Sequence, residues 1–435
     1  YGCMKSMTAP LNRKMYFLTD PIEDRAKDWL DYKINYQATF AAQLMYPMVD
    51  TYEVMPWPDR IYQGLYRIAG TDQKERIPRS YSTQMQTMVN TLNDIRTSDK
   101  KITGTQGIGV LMANSLMFQR FPNHNGYDDP QFSSFYGQTL PLLKRGIPVE
   151  LVHMENTPFK ETFKGLHILV MSYSNMKPMK PEYHNYLADW VKKGGILIYC
   201  GEDIDPYQTV LEWWNTDGNE YKAPSEHLFE KMNLSRNPGE GTYHYGKGTV
   251  IVMREDPKHF VLKAGNDQKY FETIASAYQK KIGKEIETKN SFIVERGPYT
   301  IAAVMDESVS KEPLTLSGLY IDLFDKDLPV LTSKQIQPGE QGYLYDLNKV
   351  SGKIKAKVLC GASRIYDEKV SKQSYSFVAK SPINTTNVSR VLLPRKPEKI
   401  RVNGKEEQPE WDESSKTLLL SFENDPSGVN VSIEW

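Results

Sequence analysis

No uncharged apolar stretch in this sequence approaches the roughly 18 residues that a membrane-crossing helix needs, so no spanning segment is expected. An excess of either charge is missing as well: lysine plus arginine and aspartate plus glutamate both total 54. Without a basic stripe or patch, nucleic acid is not an expected partner. Cysteine is scarce, and Cys3, Cys200 and Cys360 lie too far apart for metal-ligand spacing, so free or buried thiols are expected. His153, His167 and His184 lack such spacing too. The one glycine-rich candidate for a phosphate cradle, "GTQGIG" from Gly104, precedes its strand, where a dinucleotide fingerprint must follow one. Asp203 and Asp205 in "GEDIDPY" offer two carboxylates, fewer oxygens than calcium takes. Neither a cofactor nor a metal is expected. "IYCGEDIDPY" around Cys200 also lacks the tight glycine elbow that presents a nucleophile at the head of a helix, which makes Cys200 a buried structural residue.

What is present is, first, length. At 435 residues the chain exceeds one core and suggests roughly two to four domains. Aromatic residues make up 11%, which suits surfaces that stack on sugar rings and equally suits large sandwich cores. From Gly107 to Gly201 strands and helices alternate. "GIGVLMAN", "IPVELVHM", "LHILVMSYS" and "ILIYCG" are apolar runs of the kind a strand needs when helices cover both its faces. "FSSFYGQTLPLLKRG" and "KPEYHNYLADWVKKGG" read as the helices between them, the first stopping at Gly146. The alternation predicts right-handed crossovers and a mainly parallel sheet of the flavodoxin or amidotransferase kind over residues 101–289. Within it, Gly201 to Gly241 reads as irregular and aromatic, followed by the strand "KGTVIVMRED" and the helix "FETIASAYQKKIG".

Residues 1–100 carry two βα units. "KMYFLTD" is a strand ending on Asp20, and Pro21 breaks it. The helix "WLDYKINYQATFAAQLMYP" places Leu30, Ile34, Ala38, Ala41 and Met45 near 3.6-residue spacing, the expected buried stripe. "TYEVMPW" is the second strand, and Met85, Met88, Val89 and Leu92 form the buried stripe of a long closing helix. Two such units cannot close a sheet; a (β/α)8 barrel takes about 250 residues, so the expectation is the end of a barrel whose earlier strands lie upstream of Tyr1. From residue 290 to 435 only strand-length segments punctuated by Gly, Pro, Asn and Asp remain, which predicts one or two antiparallel β-sandwiches.

A barrel end, an α/β domain and β-sandwiches, in that order, resemble the layout of family 42 glycoside hydrolases. The segments "YFLTDPIED", "YQATFAAQLMYP", "YEVMPWPDRIYQG" and "GIGVLMAN" stand where that family has its seventh strand, a small-residue helix, its eighth strand with an aromatic turn, and its amidotransferase-like domain. "RGIPVELVHM" and "YLADWVKKGGILIYCG" resemble the family's run from strand to helix to "GG" to strand. The resemblance implies a retaining, exo-acting, mostly bacterial sugar-cleaving enzyme, with a central domain that packs protomers together, often as a trimer. It implies a periplasmic, secreted or cell-surface setting, where such enzymes meet their glycans.

Retaining cleavage needs two carboxyl groups about 5 to 5.5 Å apart. Asp20, at a strand end, stands where barrels keep catalytic groups, although the family's usual nucleophile is Glu; Glu23 and Glu53 are the further catalytic candidates. Trp57, Asp24 and Arg60 are the candidate substrate contacts. Blander accounts run beside each. An Asp before Pro often only forms a turn. Glu23 and Asp24 suit a helix cap, and Glu53 suits a buried ion pair with Arg60. The rival function is a non-catalytic carbohydrate-binding or assembly protein with the same architecture.

Overall fold

The computed structural model describes residues 1–11, 13–20, 27–54, 58–118, 132–350 and 355–435. It divides into two compact units. One comprises Tyr1–Met15, Thr103–Asn290 and Glu307–Ser310, and the other Tyr16–Ile102, Ser291–Asp306 and Lys311–Trp435.

Helix α1 (Gly2–Thr8) belongs to the first unit, where the Ser6 hydroxyl accepts a bond from the backbone N–H of His153. Strand β1 (Phe17–Thr19), helix α2 (Trp29–Leu44) and strand β2 (Tyr52–Val54) then make a βαβ unit whose strands pair in parallel, as read from the sequence. Asp28 starts α2 by accepting from the N–H groups of Leu30 and Asp31. The buried stripe of α2 is not the expected aliphatic one. Tyr32, Tyr36, Phe40, Ala41 and Leu44 are buried, while Leu30 and Ile34 stay 40% and 57% exposed. Three aromatic rings remove more apolar area from water than the aliphatic set, and that difference turns the helix. Beyond α3 (Pro58–Tyr62), a small antiparallel hairpin pairs β3 (Leu65–Arg67) with β4 (Lys74–Arg76). Helix α4 (Arg79–Thr91) buries Met85, Met88 and Val89 as expected, with Leu92 buried just beyond its end. It also buries Thr83, Gln84, Gln86 and Thr87 on its other sides. Polar bonds serve part of this surface: Thr83 donates to the Thr386 carbonyl, Thr87 to that of Thr83, Asn90 to that of Gly361, and the Tyr343 hydroxyl to Thr91 Oγ1.

The α/β unit contains β5 (Ile108–Met112), α5 (Ser115–Phe118), α6 (Ser133–Leu143), β6 (Glu150–His153), β7 (Ile168–Met171), α7 (Tyr183–Lys192) and β8 (Ile196–Cys200). It ends with α8 (Pro224–Lys231), β9 (Gly241–Tyr245), β10 (Gly248–Met253), α9 (His259–Leu262) and α10 (Gln268–Ile282). The sheet order is β6-β5-β7-β8-β10-β9, parallel except for the β9–β10 hairpin. Its five parallel strands follow the doubly wound order 2-1-3-4-5. Every residue of β5, β7 and β8 is buried, because cores lie on both faces of the sheet. Helix α8 lies within the Gly201–Gly241 stretch that sequence patterning leaves irregular, and strand β9 begins at its end, where no strand is expected.

Among the described residues the last third is strand, apart from a 3-10 turn at Leu347–Lys349. Its first sheet, in the order β11-β12-β15-β13-β14, is antiparallel and uses β11 (Ser291–Arg296), β12 (Tyr299–Val304), β13 (Leu314–Asp322), β14 (Val330–Ile336) and β15 (Gln341–Asp346). Helices α2 and α4 pack on its aromatic face. Tyr299, Tyr343 and Tyr345 pack in one core with Tyr36, Phe40, Met85 and Met88 of α2 and α4. Arg296, 1% exposed, reinforces this layer by donating to the carbonyls of Leu44, Val49 and Arg96 and to the Tyr52 hydroxyl.

A two-sheet sandwich closes the chain, built from β16 (Lys357–Gly361), β17 (Arg364–Val370), β18 (Ser374–Lys380), β19 (Thr386–Leu392), β20 (Lys399–Val402), β21 (Lys405–Glu407), β22 (Glu410–Asp412), β23 (Thr417–Glu423) and β24 (Val429–Glu434). The sheets β16-β19-β23-β22 and β17-β18-β24-β20-β21 bury Tyr375, Phe377, Val391, Leu418 and Val431 between them.

Candidate functional site

Strands β1 and β2 are in register through Phe17↔Tyr52, Leu18↔Glu53 and Thr19↔Val54. Alternation gives the pair two unlike faces. Phe17 and Thr19 are buried: Phe17 meets Tyr46 edge-on with ring centroids 5.7 Å apart, and Thr19 Oγ1 lies 3.5 Å from Gln43 Oε1. On the opposite face Leu18 is 50% exposed and its partner Glu53 is exposed beside it.

Asp20 directly follows β1, and Arg60 in α3 reaches it, with Nη1 3.4 Å from Oδ2. The two side chains are 14% and 29% exposed. Parallel pairing is the reason these residues meet: it carries the segments after β1 and β2 to the same end of the ladder. The alternative account of Glu53, a buried ion pair with Arg60, is not what forms, since Arg60 goes to Asp20 and Glu53 stays exposed. By alternation Asp20 continues the face that carries Leu18 and Glu53. Glu23, Asp24 and Trp57 lie outside the described residues.

Open α/β sheets bind ligands at the carboxyl ends of their strands, where the strand order reverses. Here that place is the carboxyl end of β5 and β7; beside it, after β7 and β8, the protein's own side chains pair with one another. Lys177 Nζ donates to the Tyr173 carbonyl at 2.5 Å and to both carboxylate oxygens of Asp205, at 3.0 and 2.8 Å. The side chains of this ion pair are 2% and 0% exposed. Burial pulls the Lys177 ammonium below its usual range, and Asp205 opposes that shift. Ser115 donates to the Lys177 carbonyl, and Ser174 to Asp256. Asp203, which burial pushes above the usual carboxylate range, takes Arg254 and Ser225.

Asp203 and Asp205 are therefore committed to protein donors, and no cluster of three or more His, Cys, Asp or Glu side chains among the described residues is placed to hold a metal. Cys200 is fully buried, with Sγ 4.0 Å from Met253 Sδ, and burial drives its thiol far above the range where a thiolate forms. A buried structural cysteine is the reading that geometry supports.

Sequence reasoning missed one further buried cluster. Tyr173 Oη lies 2.5 Å from His184 Nε2, and His184 Nδ1 lies 2.8 Å from His227 Nδ1. Desolvation is the main cause that lowers both imidazoles, with Lys231 adding to it. The two histidines are 43 residues apart and carry no local signal.

No family model matches the chain, and no curated protein does. Solved structures do resemble it. A GH42 beta-galactosidase from G. stearothermophilus, determined as a catalytic mutant, is 10% identical, covers 78% of this chain and 60% of its own, and has a TM-score of 0.39. The beta-galactosidase from the psychrophilic Marinomonas ef1 is 11% identical, with 72% and 49% covered and a TM-score of 0.38. The beta-galactosidase from Bacillus circulans sp. alkalophilus is 11% identical, with 60% and 43% covered and a TM-score of 0.35. The chain thus spans 43% to 60% of these structures. The likeness is one of fold layout, and no residue role is taken from it.

Proposed function

We propose that this chain takes part in hydrolysing glycosidic bonds, as part of a retaining, exo-acting enzyme with Asp20 as its nucleophile. One observation carries the reading. The parallel β1–β2 pair holds Asp20 and Arg60 together at its carboxyl end, beside a strand face on which Glu53 and Leu18 remain open. In a (β/α)8 barrel that end is where chemistry is done and that face is the interior. The reading requires further strands beyond β1 and β2 and a second carboxyl group within about 5.5 Å of Asp20 in the assembled site. Arg60 would hold the Asp20 carboxylate on line for attack at the anomeric carbon, and Glu53 would sit beneath the sugar. Assembly into an oligomer and an extracytoplasmic setting belong to the same proposal.

The second reading is a carbohydrate-binding or assembly protein without turnover. The Arg60–Asp20 ion pair favours it, because the same contact serves a purely structural aspartate.

A set of 2,4-dinitrophenyl 2-deoxy-2-fluoroglycosides of galactose, glucose and fucose separates the two. Under hydrolysis, peptide mapping finds a sugar ester on Asp20, and Asp20→Asn folds normally without turnover. A label elsewhere, or no label with intact folding, removes Asp20 from the role of nucleophile.

A further inference from the structure

The last sheet of the sandwich has an inner face in the core and an outer face that no other element covers among the described residues. Cross-strand register sets out that outer face in rows. One row runs Lys369, Ser376, Ser432 and Arg401, and a second runs Tyr366, Val378 and Asn430. A groove of about 490 Å³ lies over the first row and over Val378 and Asn430 of the second, lined also by Asp367, Glu368 and Gly404. Its shape follows from the backbone. Between Tyr366 and Lys369 the register of β17 shifts, and Asp367 adopts φ +52, so this edge bulges and forms one wall. The turn at Asn403 (φ +48) and Gly404 (φ +80) closes the β20–β21 hairpin opposite. Two serines side by side keep the floor low.

Neighbouring charges are already used. Arg401 pairs with Glu434, Lys399 with Glu406, and Glu368 accepts from the Tyr375 hydroxyl. The side chains of Asp367, Lys369, Ser376, Asn430 and Ser432 differ: none has a hydrogen-bond or ion-pair partner among the described residues, and all five line the groove. Together they offer an acceptor-only carboxylate, a donor-only ammonium, and hydroxyls and an amide that do both. An inorganic anion would meet Asp367 as a repulsive neighbour, and an apolar ligand would leave all five groups unpaired. A ring bearing several adjacent hydroxyls, each both donor and acceptor, satisfies the whole set. The volume lies within the range of small-ligand clefts.

We propose that this groove is a carbohydrate-binding site for a short neutral oligosaccharide, separate from the Asp20 site and independent of any hydrolysis there. The test is affinity gel electrophoresis of the full chain through gels containing galactan, arabinoxylan, xyloglucan, laminarin or pullulan. The expected result is retardation by at least one polymer. In Ser432→Trp, which fills the floor, and in Asp367→Ala/Lys369→Ala, which strips one wall, the apparent affinity falls by about tenfold or more while thermal melting is unchanged. Asp20→Asn keeps the retardation, which separates this site from the hydrolytic reading. No retardation by any of the five polymers overturns the proposal. So does retardation that both groove variants retain, that Asp20→Asn alone abolishes, or that millimolar inorganic phosphate displaces.

Discussion

Lys177 and Asp205 form an ion pair sealed inside the α/β unit, with Nζ 2.8 Å from Oδ2 and almost no solvent exposure on either side chain. The pair joins the loop after β7 to the loop after β8 at the carboxyl end of the parallel sheet.

Breaking the pair from one side strands a buried charge. Lys177→Met is expected to cost about 3 to 5 kcal/mol in urea unfolding followed by tryptophan fluorescence. The double variant Lys177→Met/Asp205→Leu recovers part of that loss, since no charge remains unpaired. It does not recover all, because Asp205 also accepts from the Tyr207 N–H and the Gln208 amide. A double variant no more stable than the single one would show that the charge itself is not the main cost.

Mild acid should loosen the α/β unit. His153, His184 and His227 are all depressed in the folded chain, chiefly by desolvation, His153 to about 4. A folded pKa below the unfolded one means that the unfolded state binds more protons, so the stability is whole above about 6.5 and is lost as pH falls towards the folded values. Between pH 7 and pH 5.5 His153 alone accounts for about 1 kcal/mol. The melting temperature should fall across that interval, and His153→Asn should flatten the fall. An unchanged melting temperature from pH 7 to 5.5 would contradict this.

The orientation of α2 can be tested by a pair of substitutions. Phe40 is fully buried, with its ring centroid 5.5 Å from that of Tyr343 and 5.9 Å from that of Tyr36. Phe40→Ala should cost about 3 to 5 kcal/mol. Ile34→Ser, on the exposed side, should change stability by no more than about 0.5 kcal/mol. Comparable losses for both would mean that the aliphatic stripe is buried after all.

Gly137 sits inside α6, where alanine normally gains about 1 kcal/mol. A Cβ there would lie 1.8 Å from the Pro257 carbonyl oxygen, a backbone atom that cannot swing aside. Gly137→Ala is therefore expected to lose about 2 kcal/mol or more in chemical denaturation. A gain would show that the backbone at Pro257 yields.

Legibility in the sequence varied with how local the deciding force was. "GIGVLMAN" and "ILIYCG" announce buried parallel strands because each residue contributes to one apolar run, and Gly146 and Gly283 mark their helix ends with positive φ of 67° and 78°. Met85 and Met88 were legible for the same reason. Asp20 could be picked out as a carboxylate at a strand end, but its partner could not: Arg60 reads as a substrate contact, and in the blander account as a partner for Glu53.

Sequence by itself thus determined element type, the parallel character of the central sheet and the strand-built last third, because periodicity and turn residues act over a few positions. Tertiary structure alone decided which face α2 buries and that the first antiparallel sheet takes α2 and α4 as its second layer. It also decided that Lys177 meets Asp205 and that five polar side chains converge unpaired on the last sheet. These outcomes depend on competition for burial and on register between segments far apart in the chain, and a local pattern holds no record of which competitor wins.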